Sequence, residues 1–141
     1  MAHAHTPSEE KLSGEPFNSM TTFLFYLGFA TLVTHEMDAI THKEWRLLYF
    51  FRTLPEDIAS TLFVGVHVPL FAALMGLAHY EVTIVAQGTK SAIALFLIIH
   101  ATLHKRLEQH PQYRFHSLLS RSLIYGGGGL GLLYFIAIAI E

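Results

Sequence analysis

Four stretches of the chain are apolar for about 20 residues, the length a helix needs to cross the hydrocarbon of a bilayer. They cover approximately residues 20–40, 58–78, 91–107 and 118–140. The third is the shortest, because Gln87-Gly88-Thr89-Lys90 ahead of it reads as a loop. Residues 1–19 are polar and contain Pro7, Ser13, Gly14 and Pro16, so they read as a flexible tail. No basic start leads straight into a short apolar stretch, so no cleavable signal peptide is expected, and 20–40 can itself be an anchor. The pattern predicts an all-α fold, an integral membrane four-helix bundle over 20–141 behind a disordered N-terminal tail.

Composition agrees. The 141 residues are 52% hydrophobic and 14% charged, against about 25% charged in an ordinary soluble domain. One domain is expected at this length. There is no cysteine, which removes disulfides, thiolate metal sites and cysteine nucleophiles together. A net charge of -2 argues against nucleic-acid binding.

The basic residues set an orientation. With four spans, Lys43, Arg46, Arg52, Lys105, Arg106, Arg114 and Arg121 fall in or beside the first and third connections, whereas Lys11 and Lys90 fall on the other side. This bias places the two basic connections in the cytoplasm and both termini on the non-cytoplasmic side. A bacterial inner membrane is the expected location. The first connection, 41–57, mixes Trp45, Leu47, Leu48, Tyr49, Phe50 and Phe51 with Arg46 and Arg52, as in a segment lying at headgroup depth. Its plainest reading is an amphipathic connector, with lipid or substrate gating as the alternative.

Against this background the ionisable residues inside the apolar runs stand out. His35, Glu36 and Asp38 close the first run, His67 interrupts the second, and His100 and His104 lie late in the third. Such groups are costly in hydrocarbon and usually face a bundle interior, pair with one another and mark a site. At 1.5 Å per residue His67 lies roughly 16 Å from the start of its helix, and His100 and His104 come to the same cytoplasmic half as His35. His35, Asp38 and His42 fall within about 60° of one another on a helix, and His100 and His104 share a face at i,i+4.

Imidazoles and carboxylates from facing helices are the donor set of a buried zinc or iron site. The candidate ligands are His35, Asp38, His42, His67, His100 and His104. Glu36, rotated about 100° from His35, is the candidate acid/base. A metal-bound water acting on a lipid-phase substrate is the simplest chemistry for such a site. Other readings stay open: a b-type haem between His67 and His100, a hydrogen-bond network locking helix register in a small subunit or assembly factor of a membrane complex, or a proton or solute conduit. The partners expected are the bilayer and either a second copy or a larger complex.

Known motifs fit only in fragments. His35-Glu36 resembles the start of a zincin HExxH, but Ala39 stands where the second histidine belongs. His100-x-x-x-His104 resembles one histidine box of membrane desaturases and hydroxylases, without the double-histidine boxes that accompany it. Gly126 to Gly129 with Gly131 satisfies G-x-G-x-x-G, yet no strand precedes it; Gly127 and Gly131 instead suit close helix approach. Pro69, two residues after His67, is expected to disturb its helix near position 65. His3 and His5 read as solvated tail residues.

Taken together, His35-Glu36-Met37-Asp38-Ala39, Glu44-Trp45-Arg46 and His67-Val68-Pro69-Leu70 resemble the motifs of a family of uncharacterised bacterial four-helix membrane proteins. There a His-acid-x-Asp-Ala end to the first helix precedes an acid-Trp pair and a His-x-Pro element. A looser similarity links the chain to the HXXEE family, also membrane proteins. Met37-Asp38-Ala39 stands here where that family has paired glutamates. The resemblance implies a common set of polar residues and no particular activity.

Overall fold

The computed structural model describes residues 19–141, and the expected tail lies outside them except for Ser19. Four helices form the described fold: α1 (Met20–His42), α2 (Glu56–Ala78), α3 (Thr83–Leu107) and α4 (Leu118–Ile140), with a 3-10 turn at Glu44–Arg46. No strand occurs among the described residues. Ser19 caps α1, its hydroxyl accepting from the Thr22 amide at 3.1 Å, and Ser117 caps α4 by accepting from the Ser120 amide at 2.9 Å. Each cap satisfies an amide that the first helical turn leaves unpaired.

α2, α3 and α4 are long and apolar enough to cross a membrane. α1 is 23 residues long as well, but its last third carries His35, Glu36, Asp38 and His42 and it is not among them. The outward faces carry large apolar side chains at helical spacing, such as Leu62, Val66 and Leu70 on α2 and Leu95, Ile99 and Leu103 on α3. Contiguous exposed apolar surface of this kind is suited to lipid rather than water. α4 packs broadly against both α1 and α3, whereas α2 is held mainly by α3 and the 3-10 turn.

The third helix departs from the sequence expectation at its start. Gln87 to Lys90 is helix, not loop, and the turn between α2 and α3 is confined to residues 79–82. Gly88 costs a helix only about 1 kcal/mol relative to Ala. Around it, the Thr89 hydroxyl donates to the Val85 carbonyl at 2.8 Å, and the Lys90 ammonium sits 5.5 Å from the Phe25 ring centre. Pro69 likewise leaves α2 unbroken.

The glycines of α4 set its distance from α3. A Cβ at Gly131 would collide with the Ala94 carbonyl oxygen, and one at Gly128 would lie 2.7 Å from the Ala101 Cβ. Gly127 is looser, with its nearest neighbour at 3.4 Å. Close backbone approach is therefore the role of this run. Two apolar clusters fill the bundle. One joins Leu24, Phe25, Ile93, Ala94 and Tyr134; the other joins Trp45, Phe63, Tyr113, Phe115 and Ile124 and surrounds the polar site.

Candidate metal centre

α1 ends at Lys43, which adopts φ 56° and ψ 49°, the left-handed conformation that closes helices, and its amide returns to the Ala39 and Ile40 carbonyls. Lys43 is the one non-glycine residue with positive φ among those described. The turn sends the chain back across the end of α1, and Glu44 and Trp45 become buried instead of lying at the surface.

Glu44 thereby meets two imidazoles, with a third, that of His100, beside them. Its Oε2 is 3.3 Å from His35 Nε2 and its Oε1 is 3.5 Å from His104 Nε2. The His35 ring centre lies 4.8 Å from that of His100 and 5.2 Å from that of His104, and His100 and His104 are 4.5 Å apart. One ligand atom from each of His35, Glu44, His100 and His104 lies within 4.8 Å of the others. Four donors held tetrahedrally at 2.0–2.2 Å from one ion lie about 3.3–3.6 Å apart, so the widest pair would have to close by about 1.2–1.5 Å, a side-chain adjustment, to bring all four onto a single ion.

These groups are poorly satisfied by one another. His35 Nδ1 and His100 Nε2 are buried without a hydrogen-bond partner, and His35 Nε2 and Glu44 Oε2 have only each other, at 3.3 Å and poorly aligned. A buried polar atom left so costs about 1–3 kcal/mol, and native interiors leave few. Burial alone would raise the Glu44 carboxyl, but the imidazoles of His104 and His35 beside it outweigh this and hold it well below the usual carboxylate range. The far nitrogen of His104, Nδ1, is 3.3 Å from the Tyr113 hydroxyl. Burial and the nearby Glu108 carboxylate raise that phenol to about 12, so it keeps its proton at neutral pH. Phe115, 1% exposed, closes the site, its ring centre 5.6 Å from His35 and 4.9 Å from His104.

The other expected site residues form two neighbouring pairs. Glu36 faces α2, where its Oε2 is 3.0 Å from His67 Nε2. His67 Nδ1 is 2.6 Å from the Phe63 carbonyl oxygen, so Nδ1 carries a proton and donates it there. A second proton must then lie between Nε2 and the carboxylate, because two lone pairs would otherwise face each other. Asp38 and His42 pair locally on α1, with Nδ1 of His42 3.2 Å from Asp38 Oδ1 and 2.8 Å from the Asp38 carbonyl oxygen. Of the six positions singled out as ligands, His35, His100 and His104 come together; Asp38, His42 and His67 lie outside that group.

The chain belongs to the family of unknown function DUF6713. The family's sequence model matches residues 21–141, all four helices included. No curated protein and no solved structure matches the chain.

Glu44 is the member of the site that helix-by-helix reasoning does not reach. It lies in the first connection, which reads as an interfacial linker. The signal available was an acid beside a tryptophan, between Lys43 and Arg46. Its inward direction depends on the left-handed turn at Lys43, which has no marker in the sequence because glycine or asparagine would be the usual residue there.

Proposed function

We propose that this protein is an integral membrane protein that binds one transition-metal ion, zinc or iron, through His35, His100, His104 and Glu44. The observation that carries this reading is the set of donor atoms from three elements that lie within 4.8 Å of one another, with His35 Nδ1 and His100 Nε2 buried and without any partner. Borderline metals favour imidazole and carboxylate donors in such a set. When bound, the ion would supply a Lewis acid and a means of activating water. His104 would ligate through Nε2 while Nδ1–H donates to the Tyr113 hydroxyl, the outer partner that ligating histidines usually have. Glu36, paired with His67, is the acid/base beside the ion. The positive bias of the first and third connections supports an inner-membrane protein whose site lies in the cytoplasmic half, with both termini on the non-cytoplasmic side.

His67 and His100 turn to different partners, Glu36 and the His35–His104 pair, which favours a metal ion over a haem held between them. The contacts of Glu44 with two imidazoles also suit a register-locking network in a subunit of a larger complex. Elemental analysis of protein purified in detergent separates the two. Near-stoichiometric zinc or iron is expected, lost in His104→Ala and Glu44→Gln and retained in His42→Ala. Protein purified and reloaded with either metal that still holds no ion would exclude the metal site.

A further inference from the structure

An apolar groove of about 520 Å³ adjoins the metal-ligand group, lined by α1, α2, α3 and the first connection. Its volume is that of a small-molecule site, about 300–1,000 Å³. Along α2 it runs from Phe63 to Leu74, a rise of about 16 Å. That is roughly half of the ~30 Å hydrocarbon core, the depth of one leaflet and so of one acyl chain. Val66, Leu70, Phe96 and Leu103 on its rim are 44–49% exposed and sit on helices apolar enough to cross the membrane. Such a groove opens sideways, to lipid.

Its polar groups gather around one part. Glu36, Glu44, His67 and His100 lie there, and beyond them the lining through Leu70, Leu74 and Ile93 is apolar. Glu44 and His100 are also members of the ligand group, so groove and centre are continuous. No Lys or Arg lines the groove, while two carboxylates do. A phosphate or fatty-acid head would enter beside like charge with no side-chain counter-ion, a costly arrangement in a low-dielectric site.

We propose that the groove binds a single-chain, uncharged amphiphile with an oxygen head, of the class of long-chain alcohols, aldehydes and esters. The chain lies along α2 and α3, and the head reaches the Glu36–His67 pair and the ligand group. The proposal deepens the metal reading and rests on it only for what the head meets at the far end.

The test uses the full-length protein in phosphatidylcholine nanodiscs, with metal content measured on the same samples. A long-chain primary alcohol carrying a mid-chain diazirine is the probe, and cross-linked residues are mapped by mass spectrometry. Labelling is expected at Leu70, Phe71, Leu74 and Phe96. It should be competed by hexadecanol about tenfold better than by palmitate or lysophosphatidylcholine. Leu70→Trp, which fills the groove, should lower labelling about tenfold and leave the metal content unchanged. Labelling spread evenly over lipid-facing positions such as Leu132 and Ile136, or competed equally by palmitate, would overturn the proposal. Metal and labelling are read separately, so an empty centre with a labelled groove defeats only the metal reading, and a filled centre with unselective labelling defeats only this one.

Discussion

At the scale of single residues, the site is a matter of which atoms are left without partners. Asp38 and His42 share a helical face with His35, yet they pair with each other within one turn of α1, leaving only Asp38 Oδ2 buried without a partner. His35 has no such neighbour on its own helix, and its nitrogens depend on what α3 and the first connection supply. Tyr113 is the informative position to change. Tyr113→Phe keeps the ring that packs on Phe115 at 5.5 Å and removes only the hydroxyl facing His104. Metal affinity, measured by competition with a chelator, should fall about 10- to 100-fold, as when other outer partners of ligating histidines are lost. An unchanged affinity would mean that Tyr113 plays no part in orienting His104.

At the scale of elements, helix spacing carries the most weight. Gly131→Ala drives a methyl into a backbone carbonyl that cannot rotate away. It should cost about 1–3 kcal/mol, the usual penalty of overpacking. Gly129→Ala meets nothing within 4 Å and should be neutral or stabilising by up to about 1 kcal/mol through helix propensity. Thermal midpoints of the two variants in one detergent make the comparison, and equal midpoints would show that α3 and α4 are not in contact at that point.

The end of α3 offers a second measurement. Glu108 accepts from Lys105 at 2.8 Å and from the Tyr125 hydroxyl at 2.5 Å, joining α3 to α4. These hydrogen bonds, with Lys105 first, hold its carboxyl below the ordinary value of 4.5. A carboxyl depressed in the folded state stabilises above its unfolded pKa, and that contribution is lost as the pH falls through the folded value. The midpoint difference between wild type and Glu108→Gln should therefore be present at neutral pH and shrink below pH 4.5. The effect is small, because the carboxyl is partly open to solvent. A difference that grows on acidification would reverse the sign and refute the linkage.

Over the whole molecule, the helices were legible because lipid imposes long apolar runs, and the start of α3 was not, because Gln87-Gly88-Thr89-Lys90 has loop composition but helical surroundings. The i,i+4 spacing of His100 and His104, and the place of His35 near the end of its run, carry over directly into one cluster. The 100° rotation of Glu36 from His35 points it toward a neighbouring helix, but that this helix is α2 and the partner His67 could not be read from α1 alone. Glu44 was hidden for a different reason: it comes from a connection, and connections show no periodicity from which to infer a direction.

The way α2 is attached has a consequence for motion. α2 leans on α3 and on the 3-10 turn and reaches α1 only through side chains, the Glu36–His67 pair and the Tyr26–His79 and Phe29–Phe71 contacts. If Glu44 is a ligand, an ion ties that turn to α1 and α3, and α2 inherits the restraint through Trp45, whose ring centre lies 5.5 Å from that of Phe63. Removing the ion should then loosen one helix more than the other three. Amide hydrogen exchange should quicken in the Phe63–Leu74 half of α2 on chelation while α4 stays protected. Equal acceleration in α2 and α4 would instead mean that the bundle opens as one unit. On this view the ion's occupancy sets how freely α2 swings, and with it how wide the molecule stands open to the bilayer.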